Sequence, residues 1–169
     1  MSVIAANREA AVVKTACIKI YIMIAYAEVM TATSKDYKGV TELLSSQNLP
    51  VEDIEKKLFH FFVVKEGGAI AGAIGLEIYG RYGLLRSLAT DPAHRNKGIA
   101  SALVHELIKY AKQVGLEEVY LLTETAEIYF EKKGFVKISR EQVVEPVKQS
   151  KEFSHVCPAS AVVMKKEIL

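Results

Sequence analysis

The sequence predicts a mixed α/β (α+β) fold in which helices cover both faces of a central, mostly antiparallel sheet. Two observations predict it. Residues 59–90 contain successive apolar segments separated by tight turns, which is typical of an antiparallel meander. Residues 97–166 then alternate amphipathic helices with strand-like segments. The chain of 169 residues suits one domain with enough interior for a hydrophobic core.

Composition and charge exclude several classes of protein. Half of the residues are apolar and a quarter are charged, which is globular rather than disordered composition. The 22 basic and 20 acidic residues leave a net charge of +2, which gives no reason to expect nucleic acid or a membrane as partner. The two cysteines, Cys17 and Cys157, form no disulfide framework, so a cytoplasmic location is expected.

The N-terminal part contains an apolar run at residues 20–27 that ends in Ala-Tyr-Ala, similar to a signal-peptide cleavage site. The run is too short for a membrane helix, and charged residues interrupt the segment before it. Its Ile and Tyr content favours a buried strand; a signal or membrane segment and a mobile leader are the alternatives. We expect residues 1–24 to be an extension and residues 25–169 to be one domain.

The first half of the chain should contain two helices and the meander. Residues 7–16 are weakly helical in pattern and residues 17–33 extended. Ser34 is predicted to cap a first helix, and Pro50 to start a second, short one. Strands are then predicted over residues 59–65, 69–79 and 84–90, with turns at 66–68 and 80–83.

The second half should alternate helices and strands. Residues 97–114 form the strongest predicted helix, because apolar residues recur every four positions and Gly115 ends it. Thr125 is predicted to cap a short helix that ends at Gly134. The remaining predictions are strands at 118–123, 135–138 and 160–166, and a helical or loop insertion at 140–149.

The most informative stretch is LLRSLATDPAHRNKGIAS, residues 84–101. A strand ends before Pro92, and a loop then opens the long helix, whose first N–H groups and dipole favour a bound phosphate. Gly98 and Ala100 allow close approach to the backbone, while Arg95 and Lys97 add positive charge. The stretch predicts a pyrophosphate site; a solvated glycine turn is the alternative.

This loop, R-x-x-G-x-A, is preceded by L-x-T-D-P and followed by A-E-x-x-F-E-K-x-G-F. The combination resembles the acetyl-CoA motif of the GNAT superfamily of N-acetyltransferases. The resemblance implies a bulged strand 84–90 that splays from strand 118–123, and acetyl-CoA as co-substrate. It also implies an N–H near Leu88 that polarises the thioester carbonyl. The residues implied to contact the coenzyme are Leu88, Ala89, Thr90, Arg95, Asn96, Lys97, Gly98, Ile99, Ala100, Ser101 and Phe130.

The sequence departs from the family at the residue that protonates the leaving thiolate. Many members have tyrosine where this chain has Phe130, and the adjacent Tyr129 is turned by about 100° around a helix. Either Tyr129 reaches the site by local adjustment or solvent supplies the proton. Glu124, flanked by Thr123, and Glu77 are the candidate bases or substrate contacts; both could instead be ordinary surface or turn residues.

Arg86 is the candidate substrate anchor. It interrupts an apolar strand, so it is expected either to clamp a substrate anion or to face outward. His155 and Cys157 alone do not make a metal site, and no metal is expected. Together with LLRSLATDP, the ending CPASAVVM resembles the arsenic-resistance-associated N-acetyltransferases and the neighbouring glutamate-type enzymes. That resemblance implies a small, amino-acid-like amine as acceptor.

The expected function is therefore transfer of acetyl from acetyl-CoA to a small primary amine by direct attack in a ternary complex. Acetylation of proteins or peptides, and acyl-CoA sensing without catalysis, are the alternatives. A homodimer through sheet edges is a further expectation, since an additional N-terminal strand would offer such an edge.

Overall fold

The chain folds in the predicted order of helix, meander and alternating helices and strands. The computed structural model describes residues 27–153 and 160–168. The strands are β1 (Val29–Thr31), β2 (Phe61–Glu66), β3 (Ala69–Tyr79), β4 (Tyr82–Thr90), β5 (Glu118–Thr123), β6 (Val136–Ile138) and β7 (Val162–Glu167). The α-helices are α1 (Tyr37–Ser46), α2 (Ile99–Gln113), α3 (Glu127–Glu131) and α4 (Glu145–Lys148).

The strands form a seven-stranded sheet in the order β1-β2-β3-β4-β5-β7-β6. All neighbouring strands are antiparallel except β4 and β5, which are parallel. The mixed, mostly antiparallel sheet with helices on both faces confirms the predicted fold class.

Strands β4 and β5 separate along their length. They pair only where residues 82–84 of β4 lie beside residues 118–120 of β5. Beyond Leu84 the two strands have no paired residues, so a cleft opens in the middle of the sheet toward the start of α2. This is the splayed strand pair that the family resemblance implied.

A β-bulge in β4 accompanies the separation. Ala89 pairs with Ala73 of β3, whereas Arg86 pairs with Gly75, so two residues of β4 face Ile74 alone. The first of them, Ser87, has φ of 56°, a left-handed conformation that is uncommon for a serine. A bulge bends its strand and leaves backbone groups unpaired.

Helices cover the two faces of the sheet unequally. On one face α2 packs through Leu103 and Leu107. On the other face α1 packs through Val40 and Leu44 near β1–β3, while α4 covers β4, β5 and β7 through Val147. Within the described residues, no helix is both long and apolar enough to cross a membrane.

Three local predictions were wrong. Residues 51–58 form isolated turns instead of a helix, and Leu58 at the end of this segment has φ of 48°. Thr33, one residue before the predicted Ser34, begins a short 3₁₀ turn (Ser34–Asp36) that leads into α1. Thr125 does not cap α3: Ala126 occupies the capping position without a side-chain capping hydrogen bond, and its N–H donates to Thr123 Oγ1 at 3.0 Å.

Several predictions lie outside the described residues. They concern the helix at 7–16, most of the extended segment 17–33, and the side chains of Cys17, His155 and Cys157.

Candidate active site

The loop before α2 has the backbone geometry of an anion-binding turn. Asn96 and Gly98 both have positive φ, 63° and 79°, and Gly98 directly precedes the first residue of the helix. The N–H groups of residues 99–101 point out of the first turn, where no helical carbonyl can accept them. These donors, with the positive end of the helix dipole, favour a bound phosphate group.

A cavity of about 380 Å³ lies at this loop. It extends from the end of β4 to α3 and is lined by Thr90, His94, Arg95, Asn96, Gly98, Ile99, Ala100, Ser101 and Tyr129. A second cavity, of about 390 Å³, shares Gly98 and Ser101 with it and is also bordered by Lys133 and Lys166. The loop therefore stands between two adjoining spaces that both contain basic side chains.

Two buried hydroxyl groups in the first cavity have no hydrogen-bond partner among the described residues. They are Thr90 Oγ1 and the phenolic oxygen of Tyr129. A buried hydroxyl without a partner costs about 1–3 kcal/mol, so such groups mark places where a bound molecule supplies the missing partner. The residues present thus fit a ligand that has polar atoms along the β4–β5 cleft and phosphate at the loop, as coenzyme A does.

Tyr129, and not Phe130, borders this cavity. Phe130 lies in the hydrophobic core, with its ring edge-on to Phe135 at 5.5 Å between centroids. Burial raises the pKa of the Tyr129 phenol. The phenol is therefore protonated at neutral pH. Of the two aromatic residues predicted for the site, Tyr129 therefore borders the cavity and Phe130 does not.

Arg86 adopts neither of the arrangements that the sequence left open. Its side chain is 2% exposed, so it does not face outward. Its Nη1 and Nη2 donate to both carboxylate oxygens of Asp53, at 2.6 and 2.7 Å. Nη1 also donates to Glu77 Oε1 at 2.5 Å, and Nε donates to Ser87 Oγ at 3.2 Å. The guanidinium thus offers no open fork to a substrate anion in this conformation.

A third carboxylate, Glu152, lies 3.7 Å from Arg86 Nε. Asp53 comes from the loop after α1, Glu77 from β3 and Glu152 from the segment after α4, so the cluster joins three parts of the chain. Sequence reasoning missed Asp53 and Glu152, because neither is near Arg86 in sequence or part of a recognisable motif. Asp53, Glu77 and Arg86 also line a cavity of about 300 Å³ on the α1 face of the sheet.

The remaining predicted residues are dispersed. Leu88 is half-buried in the bulge and packs toward the α2 face, whereas Ala89 is buried on the α1 face. Lys97 is exposed on the loop, and Glu124 is exposed in the bend after β5. The described residues contain no group of three or more side chains suited to holding a metal ion.

Comparison with known proteins defines the family. The model of the acetyltransferase (GNAT) family matches residues 26–135, and the chain belongs to this family. The amino-acid acetyltransferase of Photorhabdus laumondii is 25% identical over 123 residues, which is 68% of this chain but 28% of that protein. An uncharacterized N-acetyltransferase of Chlorobaculum tepidum is 29% identical over 70% of this chain and 74% of its own length. This chain thus spans about a quarter of the length of the amino-acid acetyltransferases it matches.

Solved structures agree with the fold. Rv2747 from Mycobacterium tuberculosis, crystallised in complex with CoA, has a TM-score of 0.72 and 25% identity, covering 84% of this chain and 99% of its own. The N-acetylglutamate synthase of Neisseria gonorrhoeae, complexed with coenzyme A and N-acetyl-glutamate, has a TM-score of 0.73 and 18% identity. It covers 86% of this chain and 36% of its own, and at this identity it supports the fold alone.

The carboxylate cluster generates a stability prediction. Arg86→Met should lower the free energy of unfolding by about 3–5 kcal/mol at pH 7, because it leaves partly buried carboxylates without their counter-charge. Arg86 holds the pKa of Asp53 below its ordinary value. The stabilisation that this gives to the fold is fully present at pH values above the ordinary pKa, and it is lost as the pH falls through the lowered pKa. The difference between wild type and variant should therefore shrink as the pH falls toward 3.

Urea unfolding at several pH values measures this difference. Arg81→Met is the matched control, because Arg81 pairs with Glu117 at 2.8 Å on the surface with its side chain 68% exposed. It should change stability by less than about 1 kcal/mol. Equal effects of the two variants at pH 7 would contradict the structural importance of the cluster.

Proposed function

We propose that this protein is an acetyl-CoA-dependent N-acetyltransferase that acts on a small, amino-acid-like primary amine. The observation that carries the proposal is the cavity at the Gly98 loop, in which Thr90 and Tyr129 each have a buried hydroxyl without a partner. Membership of the GNAT family and the CoA bound in similar structures support it.

Bound acetyl-CoA would supply an acetyl group already activated as a thioester. The N–H groups of residues 96–100 and the side chains of Arg95 and Lys97 would bind its pyrophosphate. Backbone groups of Leu88 and Thr90 would pair with the pantetheine arm, as an added strand does at a sheet edge. A bulge N–H near Leu88 or Ala89 would stabilise the negative charge that develops on the carbonyl oxygen.

The amine would attack the carbonyl from the α1 face, where the cavity beside Arg86 opens next to the bulge. Catalysis would then consist mostly of holding the amine and the thioester together in a suitable geometry. Tyr129, which is protonated at neutral pH, would donate its proton to the departing sulfur atom. It would take the part that the family usually gives to the residue at position 130.

The acceptor class is proposed on two grounds. Similar proteins are named amino-acid acetyltransferases, and the sequence resembles the arsenic-resistance-associated and glutamate-type subgroup. The cavity of about 300 Å³ beside Arg86 has the volume for an acceptor of this size. An acceptor carboxylate could reach Arg86 only by displacing one of the partners that the guanidinium already has.

The first experiment measures free thiol released from acetyl-CoA in the presence of an amine panel. The panel contains amino acids including glutamate, their arsenic- and phosphorus-containing analogues, polyamines and short peptides. Turnover with amino-acid-like amines is the expected result. Turnover with peptides alone would favour protein acetylation, and coenzyme binding without turnover on any amine would favour a sensing domain.

The role of Tyr129 is tested by Tyr129→Phe. The variant should lower kcat by at least about tenfold while leaving the dissociation constant for acetyl-CoA within about twofold, because it removes a proton donor and keeps the ring. Steady-state kinetics and isothermal titration measure the two quantities. Tyr82→Phe, in the aromatic pair with Tyr120 under α4, is the control and should match wild type. An unchanged kcat in Tyr129→Phe would assign protonation to solvent.

A further inference from the structure

The proposed reaction needs a proton acceptor, because an aliphatic amine is an ammonium ion at neutral pH. The candidates are one carboxylate in the bend after β5 and three that surround Arg86. Glu124 is exposed in the bend after β5 and makes no hydrogen bond to a described residue. The other three, Asp53, Glu77 and Glu152, surround Arg86 beside the bulge.

Two of these three carboxylates have both oxygens engaged in short hydrogen bonds. Glu77 Oε1 accepts from Arg86 at 2.5 Å, and its Oε2 accepts from the Tyr79 hydroxyl at 2.5 Å. Both oxygens of Asp53 accept from Arg86, which lowers the pKa of Asp53. In both residues the carboxylate oxygens are therefore already occupied by hydrogen-bond donors.

Glu152 differs from both. It is only 8% exposed, and its one contact with a charged group among the described residues is the 3.7 Å approach to Arg86 Nε. Among the described residues, none donates a hydrogen bond to its carboxylate, in contrast to Asp53 and Glu77. The same Nε donates to Ser87 in the bulge, which places Glu152 one side chain away from the bulge.

The charges that face Glu152 are Arg86 from β4, Glu77 from β3 and Asp53 from the loop after α1. Burial and the two carboxylates outweigh the single guanidinium and raise the pKa of Glu152 to about 7. A base with a pKa near the working pH both holds and releases a proton readily.

We infer that Glu152 is the proton acceptor of the acetyl transfer and that Arg86 is a positioning residue that holds Glu152 beside the bulge. The inference rests on the proposed function. One N–H bond of the ammonium breaks and an O–H bond forms on Glu152. The neutral amine then forms the N–C bond as the C–S bond breaks. Tyr129 gives its proton to the departing sulfur atom, and the second proton lost from the nitrogen restores the Tyr129 hydroxyl. Glu152 then releases to solvent the proton that it took from the ammonium ion.

Glu152→Gln tests the inference. It should lower kcat at least about a hundredfold and remove the acid limb near pH 7 from the pH–rate profile. Glu152→Asp should recover part of kcat and keep a limb. Glu141→Gln, which neutralises an exposed residue in the preceding segment, is the control and should keep the wild-type kcat and the acid limb.

A second measurement reports on the carboxylate independently of turnover. A raised carboxyl pKa makes the folded state bind more protons than the unfolded state between the ordinary value and about 7. Wild type should therefore lose stability relative to Glu152→Gln as the pH rises through this interval, and Glu141→Gln should not show the effect.

The outcomes separate the two proposals. An active wild type, with a Glu152→Gln variant that keeps kcat and the acid limb, would overturn the role of Glu152 and leave the proposed function standing. A folded wild type that binds acetyl-CoA but acetylates no amine in the panel would overturn both.

Discussion

The bulge in β4 is the constraint on which the site depends. Side chains alternate along a strand, so Arg86, Leu88 and Thr90 would share one face in a regular β4. The residue added at the bulge reverses the alternation. Arg86 therefore lies on the α1 face with the carboxylates, whereas Thr90 lies on the α2 face at the Gly98 loop.

The same bulge accounts for the separation of the Gly98 loop from the cavity beside Arg86. Because β4 bends away from β5 after Leu84, the cleft between them gives a linear molecule access through the sheet. One end of that cleft lies at the Gly98 loop, and the cavity beside Arg86 lies on the opposite face. In the proposed reaction, an amine would therefore approach the thioester from the α1 side.

The carboxylate cluster connects stability with the proposed chemistry. Arg86 compensates Asp53 and Glu77 through short hydrogen bonds but leaves Glu152 at a longer distance. One guanidinium cannot fully compensate three carboxylates, so the carboxylate with the longest contact to Arg86, Glu152, is compensated least. The pKa of Glu152 is therefore raised to about 7. The same cluster of side chains also joins three segments of the fold.

Local signals made much of this structure predictable. The turn at Gly67 and Gly68 and the bounds of β3 and β5 agree with the sequence analysis, because two positive-φ glycines and apolar runs of strand length are local features. Gly115 and Gly134 end their helices with positive φ, as expected. The Gly98 loop lies within one continuous motif, so its position at the start of the long helix could be predicted before the fold was known.

Tertiary contacts account for what the sequence did not reveal. The apolar spacing of residues 51–58 resembled a helix, yet the segment turns repeatedly and places Asp53 against Arg86. Glu152 has no local signal at all, since only the packing of the segment after α4 brings it to β4. Tyr129 could be named as a candidate, but its side-chain direction depends on how α3 packs its neighbour Phe130 into the core.

Amide-resolved NMR during titration with CoA tests the central claim most directly. The claim is that the bulged, splayed β4 and the start of α2 form one coenzyme site on the side opposite the cavity beside Arg86. The account predicts the largest shift changes at Leu88, Thr90 and residues 96–101, with little change at Asp53 and Glu55. Shift changes confined to the cavity beside Arg86, or the absence of saturable shift changes at the Gly98 loop, would contradict it.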